Sequence, residues 1–349
     1  MTPGNDSPSP STQSAVAATP SRAGAATRVA FLGPRGTFTE QAMEEMIRQG
    51  YLPADTEGIP VGSPRAALDE VRAGNADFAC VALESSVDGP IAQTEDALMF
   101  GKPLIIVREV LVPVEFSILV RPGTKPEDIS TFSTHPAAEA QVRQWVAKNL
   151  PNAEFLPARS NAAAAQDVAE GRADAAAAPP RAGQLQHLDT LAASVADVPG
   201  AFTRFVLVAP PGNIPPKTGD DRTGVTFTLV NKPSSLLDAL SEFSVRGVDM
   251  SRISSRPTRE VPGTYYFHVG LVGHIQDEAM AEALAGLYRC TQYLRFLGSW
   301  PRAELGEANG GVNGEGNHRK HPPAGTFPPD YSESRSWVDK LQEQTEGTH

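Results

Sequence analysis

The chain of 349 residues is long enough for two or three modest domains, and a composition of 40% hydrophobic and 20% charged residues suits a globular protein with a sizeable core. A formal charge of −11 without any basic run argues against a nucleic-acid partner, which calls for clustered Lys and Arg; a small anionic ligand needs only a few local donors. Cys80 and Cys290 stand far apart in apolar surroundings, against a disulfide framework or a thiolate metal site, and no apolar run approaches the ~20 residues of a membrane span.

In chain order, residues 1–26 are rich in Pro, Ser, Ala and Thr and read as a disordered tail, with no basic segment leading into an apolar core. A cytoplasmic location is the expectation. Strand-like and helix-like stretches then alternate. RVAFLG (28–33) precedes TEQAMEEMIRQG, DFACVAL (77–83) precedes a loop and TEDALMFG, and DISTFS (128–133) precedes HPAAEAQVRQWVAKNL. AEFLPA (153–158) leads to SNAAAAQDVAEG, and ADAAAA (173–178) leads to PPRAGQLQHL. This alternation predicts an α/β unit, a sheet covered by helices. LVPVEFSILVRPG (111–123) interrupts it with a longer β run that carries the chain into a second lobe over approximately 112–190, before residues near 190–210 return to the first. A cleft between such lobes is a common small-molecule site. Residues 224–301 read strand, helix, strand, strand, helix, strand, and a weak tail follows over 303–349, within which SESRSWVDKLQEQ has a short helical pattern.

The strand-to-helix turns hold the polar residues of interest. GPRGTFTE offers Thr37 with Glu40 at capping-box spacing, Thr39 being the alternative cap. Glu84, Ser85 and Ser86 follow the second strand; Ser133, Thr134 and His135 follow the third, with Pro136 suited to a first helical position; Ser160 and Asn161 follow the fourth. Either each residue caps its own helix, or together they present hydroxyl, amide and imidazole groups at the sheet edge where helix N-termini favour an anion. GAFTRFVLVAP (200–210) adds Thr203 and Arg204 at the mouth of an apolar strand. Alternation places Thr203 with Phe205 and sends Arg204 to the opposite side, unless the strand begins after Thr203 or bends there near Gly200. Arg204 then either clamps a carboxylate or forms a structural ion pair, with Glu84 or another acid; Phe205 is either core or cleft wall.

GPRGTFTE, ALESSVDGPIAQTEDAL, STHPAAEAQ and TRFVLV, in this order, resemble the prephenate dehydratase family across about 27–210, and the βαββαβ segment resembles the ACT regulatory domain that follows in that family. The resemblance implies an α/β fold: a two-lobed, periplasmic-binding-protein-like catalytic domain over 27–212, a linker over 213–222, and a ferredoxin-like ACT domain over 223–302. It implies conversion of prephenate to phenylpyruvate without a cofactor, because aromatisation drives the reaction. Thr203, Arg204 and Phe205 are the catalytic candidates it gives. Thr37, Thr39, Glu84, Ser85, Ser86, His135, Gln141 and Asn161 are its candidates for substrate binding. L-phenylalanine is the implied effector, at Pro233, Ser234, Ser235, Leu236, Ser255, Arg256 and Pro257, and a homodimer or homotetramer is the implied assembly. Three departures from the family pattern change the chemistry of a motif. Ser85 stands where the family has Asn, Ser234 where it has Gly, and Ser254 where it has Glu. A non-aromatising prephenate decarboxylase and a catalytically silent aromatic amino-acid sensor are the alternative readings.

Overall fold

The computed structural model describes residues 26–259 and 262–303; of the tails expected over 1–26 and 303–349, residues 1–25 and 304–349, including the helical pattern around Trp337, lie outside them. The first lobe contains β1 (Arg28–Leu32), α1 (Phe38–Arg48), β2 (Glu57–Val61), α2 (Pro64–Ala73), β3 (Phe78–Ser85), the short β4 (Gly89–Pro90), α3 (Ala92–Met99) and β5 (Ile105–Pro113). The second lobe contains β6 (Ser117–Val120), β7 (Thr131–Thr134), α4 (Pro136–Asn149), β8 (Glu154–Pro157), α5 (Asn161–Ala169), β9 (Ala175–Ala178), α6 (Pro180–Leu185) and β10 (Asp189–Ala192). The chain then re-enters the first lobe as β11 (Phe202–Ala209).

Two differences from the sequence pattern concern this part of the chain. The run 111–123 is not one strand: β5 begins at Ile105 in the first lobe and ends at Pro113, and β6 starts afresh at Ser117 in the other sheet. The elements β2, α2 and β10 are additional to the alternation. Helix α2 carries ordinary end signals, with Ser63 Oγ accepting from Ala66 N at 3.0 Å and Gly74 left-handed at φ +76°.

The first sheet runs β2-β1-β3-β11-β5, with β11 antiparallel to both neighbours. Its two faces have separate cores. Phe205 and Leu207 join Phe31, Cys80, Val110 and Met43 under α1. Val206 and Val208 join Leu68, Val81, Leu98 and Ile106 under α2 and α3, together with Leu297 and Trp300 from the C-terminal domain. The second sheet runs β10-β6-β9-β7-β8. Its strand β9 is four fully buried alanines, whose small side chains let α4, α5 and the sheet approach closely.

The C-terminal domain contains β12 (Asp221–Thr228), α7 (Ser235–Ser244), β13 (Met250–Pro257), β14 (Tyr265–Val272), α8 (Glu278–Cys290) and β15 (Tyr293–Pro301), with sheet order β13-β14-β12-β15. This is the antiparallel ferredoxin-like βαββαβ arrangement. One sheet face packs Val225, Phe227, Val269 and Leu271 against the two helices. The other lies against the first lobe, and glycines make the approach possible. Gly298, at φ +123°, leaves no room for a Cβ, which would stand 2.4 Å from the Ile106 carbonyl oxygen.

In the second lobe, Asp174 Oδ2 accepts from Ser130 N and Oγ and from Thr131 N and Oγ1, at 3.1, 2.8, 3.0 and 2.9 Å. Partial burial works to raise the pKa of this carboxyl, but the hydrogen bonds from Ser130 and Thr131 outweigh it and hold the value at about 2. A depressed folded-state pKa stabilises above the unfolded value of about 3.9 and is lost as pH falls through the folded one. Asp174→Asn is therefore expected to destabilise the chain at pH 7 by on the order of 2 kcal/mol. In urea titrations the gap from the parent should close between about pH 4 and pH 2; a gap constant with pH would show that charge is not the cause.

Candidate active site

Register on β11 decides which side chains meet. Thr203 pairs with Ser85 and Arg204 with Glu84, but Phe205 pairs with Ala82, so Leu83 is an extra residue in β3. This bulge lets Leu83 and Glu84 face the same way, toward the α2, α3 and C-terminal side, and returns Ser85 to the face of Thr203. Alternation lets Thr203 and Arg204 share the cleft only if β11 begins after Thr203 or bends there. β11 instead runs continuously from Phe202, and the irregularity lies in its neighbour.

On the Thr203 side the lobes meet. Thr203 is half-buried, with its hydroxyl uncommitted among the described residues. Ser85 Oγ accepts from Val87 N and Asp88 N at 3.2 and 3.1 Å and donates to Asp88 Oδ2 at 3.4 Å, closing the turn after β3. The same Asp88 oxygen accepts from Gln141 Nε2 of α4 at 2.8 Å, a direct tie between lobes. Ser86 Oγ accepts from Phe202 N at 2.9 Å and fixes the approach to Thr203. Phe38, at the start of α1, packs edge-on against Phe116 with centroids 5.7 Å apart, and so joins the cores of both lobes.

The second lobe contributes the junction of β7, α4 and α5. Asn161 Oδ1 lies 3.3 Å from His135 N and 3.4 Å from Thr134 Oγ1, which leaves the amide nitrogen of Asn161 as a donor. His135 caps α4, its Nδ1 accepting from Ala137 N at 3.2 Å. Desolvation holds its pKa below the ordinary value, so the neutral ring carries its proton on Nε2 and donates there. The first N–H groups of α4 are taken up by His135 itself, so Asn161 and His135 leave one side-chain donor each in the second lobe, and Thr203 leaves its hydroxyl in the first.

Several sequence candidates fall elsewhere. Arg204 donates from Nη1 to Glu109 Oε1 at 2.6 Å and from Nε to Glu84 Oε2 at 3.4 Å, so both Arg204 and Glu84 are turned away from the cleft face by alternation and by the bulge. Phe205 is 2% exposed and belongs to the core under α1. Thr37 uses its hydroxyl locally, donating to Leu32 O at 3.0 Å and accepting from Glu40 N at 3.3 Å, while Thr39 is buried beside Cys80. Asp88 and Glu109 were missed. Asp88 had a local signal, three residues after Ser85 and before a glycine; Glu109 had none.

The C-terminal candidates divide as well. Alternation along β13 leaves Ser255 and Pro257 exposed and turns Arg256 toward α3, where it grips Asp96 with Nε and Nη2 at 2.5 and 3.2 Å. Ser254 donates to Glu95 Oε1 at 2.8 Å. Pro233 to Leu236 form the entry to α7, with Ser234 at φ +67° and without a side-chain capping bond, and Ser235 Oγ donates to Val230 O at 2.6 Å.

The fold defines a two-lobed α/β protein, its lobes tied by Asp88 and Gln141 beside Ser85, with an appended ferredoxin-like domain. Residues 29–213 match the family model described as prephenate dehydratase. A prephenate dehydratase of Mycolicibacterium gilvum is 46% identical over 321 residues, covering 90% of this chain and 98% of the relative. The crystal structure of prephenate dehydratase from Arthrobacter aurescens in complex with L-Phe is 38% identical at a TM-score of 0.74, covering 91% of this chain and all of that one. GqqA, described as a novel type of quorum quenching acylase, is 28% identical at a TM-score of 0.68, covering 78% of this chain and 97% of its own. The chain belongs to the prephenate dehydratase family.

A serine at φ +67° sits in the left-handed region that glycine occupies at little cost. Ser234→Gly is expected to raise stability by up to about 1 kcal/mol, read as a higher urea midpoint. A lower midpoint would mean that the Ser234 side chain makes a stabilising contact.

Proposed function

We propose that this chain catalyses the decarboxylating dehydration of prephenate to phenylpyruvate in L-phenylalanine biosynthesis. The observation that carries the reading is the pairing of Thr203 with Ser85 on the cleft face of β11 and β3, inside the segment that matches the family. Prephenate brings two carboxylates and a ring hydroxyl. The carboxylates suit the Asn161 amide and the Nε2–H of His135. The Thr203 hydroxyl donates to the departing ring hydroxyl. Its own pKa is far too high for full proton transfer, so it acts as a positioned hydrogen bond while the ring carboxylate leaves as carbon dioxide. One prephenate dianion and one proton taken up from solvent thus give one phenylpyruvate anion, one carbon dioxide and one water: the electron pair of the broken C–C bond enters the new aromatic ring, and the departing oxygen keeps the pair of its C–O bond and takes the proton.

Arg204 has no part in holding substrate in this reading, because both of its carboxylate partners are already supplied by the chain. The catalytic unit spans 27–212 and the regulatory ACT domain 223–302, joined by the linker 213–222. L-phenylalanine is the effector, as the ligand of the Arthrobacter aurescens structure supports. The entry to α7 and the exposed side of β13 are its candidate surface. The edge strand β13 and helix α7 expose Ile253, Leu237 and Val245, at 42%, 66% and 75%, and a second copy of the chain is the partner read for that side, giving a homodimer or homotetramer. The reading places the enzyme in the cytoplasm.

The test is to incubate the purified chain with prephenate at neutral pH and follow phenylpyruvate by its enolate absorbance in alkali. The parent chain should form product, and Thr203→Ala should lower kcat by about two orders of magnitude or more. Prephenate consumed without an aromatic product would point to the decarboxylase. No consumption, with phenylalanine still bound, would leave a sensor.

A further inference from the structure

Glu109 on β5 has a fully buried side chain. Its Oε1 accepts from Arg204 Nη1 at 2.6 Å and from Ala303 N at 3.0 Å. Its Oε2 accepts from Trp300 Nε1 at 2.8 Å and lies 3.5 Å from Arg222 Nε. One donor therefore comes from β11, beside Thr203, while two donors and the ion-pair partner Arg222 come from the C-terminal domain. A carboxylate buried in this way is tolerable only when its charge and lone pairs are met. Here that holds only while the C-terminal sheet is docked on β5.

The same contact reaches the cleft. Arg204 continues from Glu109 to Glu84, the residue before Ser85, and Ser85 stands opposite Thr203 in the β-ladder. A second tie runs in parallel. Glu95 and Asp96 on α3 are held by Ser254, Arg252, Arg256 and Tyr266 of the C-terminal sheet, and α3 begins at Ala92, four residues after Asp88 of the β3–β4 turn. The tie at Asp96 is half-exposed to solvent screening at Arg259, whereas that at Glu109 is closed to water.

We propose that Glu109 is the positioning residue through which the docking of the C-terminal domain sets Thr203. Its carboxylate holds Arg204 on the rear face of β11 while Trp300, Arg222 and the Ala303 amide hold the carboxylate. A rearrangement of the C-terminal domain that withdraws the Trp300 donor or the Arg222 charge leaves Glu109 under-paired, shifts Arg204, and moves the residue that precedes it. The inference rests on the reading above, in which Thr203 acts on prephenate and phenylalanine binds the C-terminal domain. It adds the side chain that joins the two.

The experiment uses the full chain as parent, Glu109→Gln, Glu109→Asp and Trp300→Phe, each first shown to be folded by thermal unfolding. Glu109→Gln removes the charge at constant size and should lower kcat by about tenfold or more with KM little changed, a split that uniform loss of fold does not produce. Glu109→Asp should recover part of that loss. Trp300→Phe removes one donor to Glu109 and leaves Arg204 in place; kcat should fall by about threefold, less than in Glu109→Gln, while the phenylalanine concentration for half-effect rises by about threefold or more, the weakening expected for one lost coupling contact. Hydrogen exchange at the amides of residues 202–205 should quicken in Trp300→Phe, and this readout needs no turnover. An inactive parent with quickened exchange in Trp300→Phe would defeat the functional reading and leave the coupling intact. A folded Glu109→Gln chain with parental kcat and phenylalanine response, or unchanged exchange at residues 202–205 in Trp300→Phe, would overturn the proposal.

Discussion

A β-strand can turn only every second side chain toward a given surface, and β11 is wedged between β3 and β5 with a packed core on both faces. Thr203 and Arg204 therefore cannot serve one site, however close they stand in sequence. The bulge at Leu83 resolves the conflict by letting β3 match each of them in turn, with Ser85 opposite Thr203 and Glu84 on Arg204. The short motif Thr-Arg-Phe thereby becomes three devices: a hydroxyl at the cleft, a cation in the domain interface and a ring in the core.

The interface behind β11 is built largely from charge. Glu109, Glu84, Glu95 and Asp96 from the first lobe meet Arg222, Arg252 and Arg256 from the C-terminal sheet. Burial pushes the pKa of Glu95 up, against the opposing pull of Arg252 and Ser254, and pushes that of His268 down to about 3, so the imidazole adds no charge there. An apolar interface of the same extent would hold the domains as firmly and respond to little. Paired buried ions differ, because removing one partner is costly while the intact pair contributes modest net stability. Such an interface has few acceptable arrangements, which is what a coupled pair of domains requires.

Much of the architecture was legible from pattern alone. The strand and helix alternation, the return of the chain near residue 200 and the βαββαβ order all follow from apolar periodicity punctuated by Gly and Pro. β2 was not legible, because EGIPV is an edge strand whose side chains are mostly half-exposed and which contains proline. β10 is a four-residue edge strand with two exposed positions. The side-chain directions of Glu84 and Arg204 depend on pairing register, and a one-residue irregularity in β3 has no local signature. Glu109 was invisible for a stronger reason. Its partners Arg204 and Trp300 lie 95 and 191 residues further along the chain, and nothing near residue 109 announces that they converge.

The departures from the family pattern sort on the same physical grounds. Ser85 lacks the amide of the asparagine it replaces, yet its hydroxyl accepts from the Val87 and Asp88 amides and closes the turn, so the position retains an architectural task that a side chain of one oxygen can perform. Ser254 replaces a glutamate but donates to Glu95, a carboxylate supplied from the opposite side of the interface. A glutamate there would face Glu95 and Asp96 as a third acid, so in this chain the serine avoids a like-charge contact. Ser234 has no such compensation: its backbone is left-handed, and its side chain makes no capping bond. Of the three substitutions, the first two are absorbed by partners, and only Ser234 alters the backbone preference of the turn that leads into α7.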